Sequence, residues 1–113
     1  SPRDGGIYNR HLTIGEVHLL QSRTKEAIVW LEKARSANPW TQYAHAYLAS
    51  AYALEGETKR AAAELTEARR LSTDDRYSSL ARLRAGYFGV PKIRALYEAT
   101  YFAGLRKAGV PEE

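Results

Sequence analysis

The chain has 113 residues, a net charge of +4 and 44% hydrophobic residues, enough for one modest domain with its own core. It has no cysteine, which excludes disulfides and thiolate metal sites and fits a reducing compartment, so a cytoplasmic setting is expected. No apolar run approaches the roughly 20 residues that span a bilayer, and no stretch reads as a signal peptide, so no membrane contact is expected.

The opening SPRDGG has no initiator Met and reads as the start of a fragment. Residues 1–6 are expected to be the end of a preceding unit, with Gly5-Gly6 as a flexible entry. Ile14, Val17 and the Leu19-Leu20 pair then recur at helical spacing. Ser22-Arg23 breaks the pattern, and Thr24 is the expected N-cap of a second helix with Ala27, Ile28, Leu31 and Ala34 on one face. Pro39 disfavours the helical conformation in the residue before it, so this helix should stop near Asn38. A third helix is expected from about Thr41 to Leu54. Its stretch AHAYLASAYAL is Ala-rich and reads as buried on several sides. Glu55-Gly56-Glu57 is a turn, Thr58 the expected next N-cap, and Ala61, Leu65 and Ala68 the inner face of a fourth helix ending near Leu71. Such short turns make each helix pair antiparallel.

Beyond Leu71 the pattern changes. STDD (72–75) is a turn or cap signal, and a short helix is expected over 76–85. Gly86 and Gly89 frame a loop holding Tyr87 and Phe88. A last helix starts near Pro91, carries Ile93, Leu96, Tyr97, Tyr101 and Leu105 as an apolar stripe, and ends at Gly109 and Pro111.

The first two pairs are copies. At an offset of 34 residues, eight of the 28 positions from His11 to Asn38 are identical to those from His45 to Ser72: His11/His45, Leu20/Leu54, Thr24/Thr58, Lys25/Lys59, Ala27/Ala61, Leu31/Leu65, Ala34/Ala68 and Arg35/Arg69. A fixed period in this range marks stacked helix pairs, each covering its neighbour's apolar face. Small residues at the repeated positions let helix axes approach closely. The third pair keeps only Ala95 in the Ala27/Ala61 register.

The set Ile14-Gly15, His18, Ala27, Leu31, Ala34, Pro39 and its copy Leu48-Ala49, Tyr52, Gly56, Ala61, Leu65, Ala68 resembles tetratricopeptide (TPR) repeats. Departures are His11 and His45, where the family favours Trp, and Thr73, where Pro39 would predict a second proline. The resemblance implies an all-α solenoid: one domain over 1–113, with repeats at 7–40 and 41–74 and a degenerate capping pair at 75–113. A narrower resemblance rests on SPRD, ANPW and the tail SSLARLRAGYFGVPKIRALYEATYFAGLRKAGVPEE. These look like the C-terminal region of bacterial proteins in which TPRs follow a class III adenylate/guanylate cyclase domain. In that family such a tail ends the polypeptide, which implies a terminus at Glu113. This resemblance implies a non-catalytic scaffold or regulatory segment that binds a protein or peptide, or a second copy of itself. In a TPR stack the first helices line the groove, which places Asn9, Leu12, Glu16 and Leu19 of one copy, and Tyr43, Ala46, Ser50 and Ala53 of the other, as the partner-binding set. Leu12 and Leu19 suggest an apolar ligand helix, or the chain's own tail folding back.

Nothing points to catalysis. No phosphate loop, dinucleotide fingerprint or zinc-helix motif is present. Neither cofactor nor metal is expected: His11, His18 and His45 read as packing histidines, and Asp74-Asp75 as a capping turn rather than a carboxylate pair. Tyr97, Tyr101 and Phe102 crowd the last helix, either as a patch for a partner or as a cap on the stack. Charge gives the alternative reading. Residues 1–75 are neutral, and residues 76–113 hold seven Lys/Arg against three Asp/Glu. With Tyr87 and Phe88, the cations Arg82, Arg84, Lys92 and Arg94 could form a small basic nucleic-acid-binding surface or the tail of a transcriptional regulator.

Overall fold

The computed structural model describes residues 5–87 and 89–113. The expected remnant of a preceding repeat at Ser1-Pro2 lies outside the described residues, as does Phe88. The described chain is all-helical, with no strand. Its elements are α1 (Gly6–Leu20), α2 (Thr24–Ala37), α3 (Gln42–Leu54), α4 (Thr58–Leu71), a 3-10 turn (Arg76–Ser78), α5 (Leu80–Ala85), and a continuous final helix made of α6 (Pro91–Tyr97), a π-helical turn (Glu98–Phe102) and α7 (Ala103–Ala108).

Turns at residues 21–23 and 55–57 join α1 to α2 and α3 to α4 as helix hairpins. Gly56 takes a positive φ of 80° in the second turn, a conformation glycine adopts without cost. Ser22 occupies the same region in the first, at φ 63°. The repeated small residues and leucines do what their spacing predicts: Ala27, Leu31, Ala34, Ala61, Leu65 and Ala68 are all buried. At Gly15 a Cβ would come within 2.6 Å of the Leu31 side chain, so this glycine admits Leu31 between α1 and α2. The third helix is enclosed on nearly every side, as its composition predicts.

Several expectations change. Thr24 and Thr58 do not cap; they are the first residues of α2 and α4, preceded by Arg23 and Glu57, and no side chain closes either N-terminus. Gly6 is already helical, with Gly5 as the left-handed residue before it. Val17 sits on the solvent side of α1. The single helix expected over 76–85 is broken at Ser79, which is extended (φ −157°) and whose hydroxyl accepts from the Arg82 amide. Ser79 is thus a true N-cap, satisfying one of the amides that a helix start leaves free. Carbonyls from the end of the chain satisfy two more: Leu80 N–H donates to Pro111 O at 2.8 Å, and Ala81 N–H to Glu112 O at 2.9 Å. The terminal segment is further held by Glu112, which accepts from Arg84 at 3.1 Å and from Arg106 at 2.9 Å.

The final helix divides sharply. Its second half is core: Thr100, Tyr101, Phe102, Gly104 and Leu105 are buried. Its first half has no buried residue. Ile93 and Leu96, expected in the apolar stripe, are 40% and 39% exposed, and Ala95 is exposed too, unlike Ala27 and Ala61. Among the described residues no other element packs closely on its N-terminal turns.

Candidate docking surface

The first helices of the two hairpins, α1 and α3, share a face, and the final helix lies across it. At the crossing, a Cβ on Gly104 would stand 2.0 Å from Ser50 Oγ and 2.5 Å from the Ser50 carbonyl oxygen. Glycine is therefore required there, because backbone meets backbone. The Ser50 hydroxyl donates to the Tyr101 carbonyl at 2.8 Å, inside the π-helical turn. Ala46, Ser50 and Ala53, expected to line a groove, are buried beneath this contact. Their smallness serves the approach of the chain's own helix.

The repeat-one members of the set are distributed differently. Leu19 is buried, Leu12 is half-buried against the core, and Asn9 is exposed. Glu16 is half-buried, and its carboxylate accepts from two tyrosines: Tyr47 on α3 at 2.6 Å, and Tyr97 on the final helix. Burial, with the Glu16 charge beside them, raises the pKa of both hydroxyls, so both stay protonated donors. Tyr43 is exposed. The set thus splits into positions covered by the tail and a few that face solvent.

The aromatic residues of the last helix are also turned inward. Tyr101 and Phe102 are buried and Tyr97 is half-buried. Tyr47 and Tyr101 rings lie 4.6 Å apart, Tyr87 and Tyr97 5.2 Å, and Tyr101 and Phe102 5.6 Å. This packing closes the stack; it does not present an open aromatic patch. Beside it a cleft of about 540 Å³ opens between α3, the 74–87 segment and the final helix, with Tyr43, Tyr77, Tyr87 and Tyr101 in its walls. Sequence reading does not find this cleft, because residues over 50 positions apart build it. Its charged rim is self-compensated: Arg76 donates to both oxygens of Asp74 at 3.0 Å, and Arg82 pairs with Asp75 at 3.3 Å. The Asp74 carboxylate also accepts from the Arg76 amide, as a capping turn does.

The basic set of the C-terminal third is likewise mostly spent. Arg84 grips Glu98 at 2.7 and 2.9 Å and also reaches Glu112. The Arg84 hydrogen bonds hold the Glu98 carboxyl below its usual pKa. Lys92 and Arg94 make no ion pair among the described residues.

The histidines take separate roles. His11 packs against Trp30, ring centroids 5.5 Å apart. His45 is buried, with Nδ1 at 2.6 Å from Glu64 Oε1 and Nε2 at 2.8 Å from the Pro39 carbonyl. Both partners are acceptors, so the site favours the protonated imidazole, in which both ring nitrogens donate. Its pKa is raised, first by the Glu64 hydrogen bond. Glu64 also takes Arg35, which reaches across from α2 to α4. No group of three or more metal-ligating side chains exists among the described residues, and none of their helices is long and apolar enough to cross a membrane.

Several large apolar side chains also stay open on the surface. Val17, Val29, Trp40, Tyr43, Val90, Ile93 and Leu96 are exposed. Ile93 and Leu96 stand three residues apart on the protruding half-helix, and Val90 is the extended residue just before it. No protein-family model, curated protein or solved structure matches the chain.

Proposed function

We propose that this chain is a non-catalytic docking module: a TPR-type stack of two helix pairs, closed by its own C-terminal helix, that binds a protein partner on its outer surface. The observation that carries this reading is the half-helix over 91–97, which has no buried residue and yet displays large apolar side chains. Isolated exposed apolar residues need no explanation, but a row of them on an unpartnered helix marks an interaction site. The first-helix face, the expected ligand groove, is taken by the final helix, so the docking reading moves to the rim. At the finer level, the resemblance of the tail to the TPR region of cyclase-like proteins supports a regulatory segment attached to such a domain.

Cross-linking tests the docking reading in the parent polypeptide, with a photoreactive amino acid placed in turn at positions 93, 40 and 29. Adducts to one partner from at least one of these sites are expected, and none from any site refutes the reading. A nucleotide cyclase domain encoded upstream of Ser1 supports the finer reading, and a DNA-binding domain there removes it.

A further inference from the structure

From the geometry we infer that the ridge Val90, Ile93 and Leu96 is the seat of an acidic amphipathic helix of a partner protein. The inference rests on the docking reading above and adds the partner's chemistry.

The ridge is preformed. Pro91 sits in the first helical turn, where its fixed φ suits the helix, and α6 continues without a break into the buried turns at 100–105. A partner therefore meets an ordered surface, and the entropic cost of ordering it has already been met in folding. Val90 is 61% exposed, Ile93 40% and Leu96 39%. Anchors three residues apart are the spacing that a facing helix fills.

Charge selects the occupant. Residues 89–97 contain Lys92 and Arg94 and no acid. Glu98, the next acid along the helix, is occupied by Arg84, and Glu112 by Arg84 and Arg106. Neither Lys92 nor Arg94 makes an ion pair among the described residues, Arg94 feeling the Glu98 charge only at longer range, and carboxylates on either side of a partner's apolar stripe would complete them. A second copy of the chain would set Lys92 and Arg94 against their own kind, which opposes self-association. An anionic membrane is disfavoured by size, because the seven-residue α6 spans only about 10 Å of helix axis, against the longer apolar faces of interfacial helices.

The test uses a fluorescein-labelled helical peptide with leucine on one face and glutamate on the others. A control peptide carries lysine in place of glutamate. Fluorescence anisotropy reads affinity, and amide NMR shifts read location. The acidic peptide is expected to bind and to shift residues 90–97. Ile93→Asp and Leu96→Asp should each weaken it by about tenfold or more. Lys92→Glu combined with Arg94→Glu should weaken it and flatten its salt dependence. All four side chains are exposed, so these variants should keep the wild-type melting curve.

Equal binding of the lysine peptide overturns the inference, as does wild-type affinity in the Ile93 and Leu96 variants. So does displacement of the peptide by phosphatidylserine vesicles or by a single-stranded oligonucleotide. A dimer in sedimentation that Ile93→Asp dissolves assigns the ridge to a second copy instead. Shifts centred on Trp40 or Tyr43 overturn the ridge and leave the docking reading standing. No shift anywhere, with the cross-links of the docking test absent, removes both.

Discussion

The two helix pairs share their inner positions and differ where each meets the rest of the molecule. Ala27/Ala61, Leu31/Leu65 and Ala34/Ala68 are buried alike in both. At the equivalent pair 11–30 and 45–64, however, the first copy sets His11 against Trp30, and the second sets His45 against Glu64. In the first pair, α1 buries only Tyr8, Gly15 and Leu19. The second lies in the middle, and α3 is buried on nearly all sides. Repetition therefore specifies the hairpin, while divergence specifies its place in the stack. The His45–Glu64–Arg35 network ties α2, α3 and α4 together; the His11–Trp30 contact ties only α1 to α2.

The strongest way to break this contrast is at the two close approaches. Gly104→Val places a Cβ against the Ser50 backbone and should cost about 3 kcal/mol or prevent folding. Gly15→Ala, which gives the first copy the second's residue, meets the Leu31 side chain at 2.6 Å and its backbone nitrogen only at 3.3 Å, and should cost about 1 kcal/mol. Urea unfolding of both variants checks the order, and equal losses would show that the Leu31 side chain cannot give way.

Next is Glu64→Ala. It strands the buried imidazole and one bond of Arg35, a loss of about 2 kcal/mol once the partial exposure of Arg35 is discounted. A double-mutant cycle of His45 and Glu64 should show a coupling above about 0.5 kcal/mol, and the His11–Trp30 cycle a smaller one.

The pH dependence of stability separates the pairs further. The folded-state pKa of His45 is raised, so its contribution is complete below the unfolded value near 6.5 and is lost as pH rises through the folded value. Thermal melts across that window should show the wild type losing stability. His45→Gln should lack that component, and a parallel decline in the variant would assign it elsewhere. The smallest effect belongs to the half-helix: Ile93→Ser should change stability by less than about 0.5 kcal/mol, because Ile93 is exposed and outside the core clusters.

Most of the helical framework is readable from residue order. The alanines and leucines of the repeat announce the inner faces, and Pro39, Pro91 and Gly109 mark boundaries within a residue or two of those observed. Three features escape. Thr24 and Thr58 look like caps but lie one residue inside their helices, and a one-residue offset is below what propensity resolves. Ile93 and Leu96 fall on the same stripe as Tyr101 and Leu105, because periodicity reports which face is apolar and not whether another element stands opposite it. The groove set fails to read as an open surface at Ala46, Ser50 and Ala53 for a related reason. Small residues look the same whether they line a binding groove or admit another stretch of the same chain. The Glu16–Tyr97 contact that seals the arrangement spans 81 residues, beyond any local pattern.

That long-range closure has a cost in time. Synthesis proceeds from the N-terminus, so both hairpins are complete while residues 97–110 are still unmade. Until those residues emerge, Ser50 and Tyr47 lack the helix that packs on them, and the Glu16 carboxylate lacks its Tyr97 donor. The nascent protein thus passes through a stage in which its apolar first-helix face is available to chaperones or to neighbouring chains.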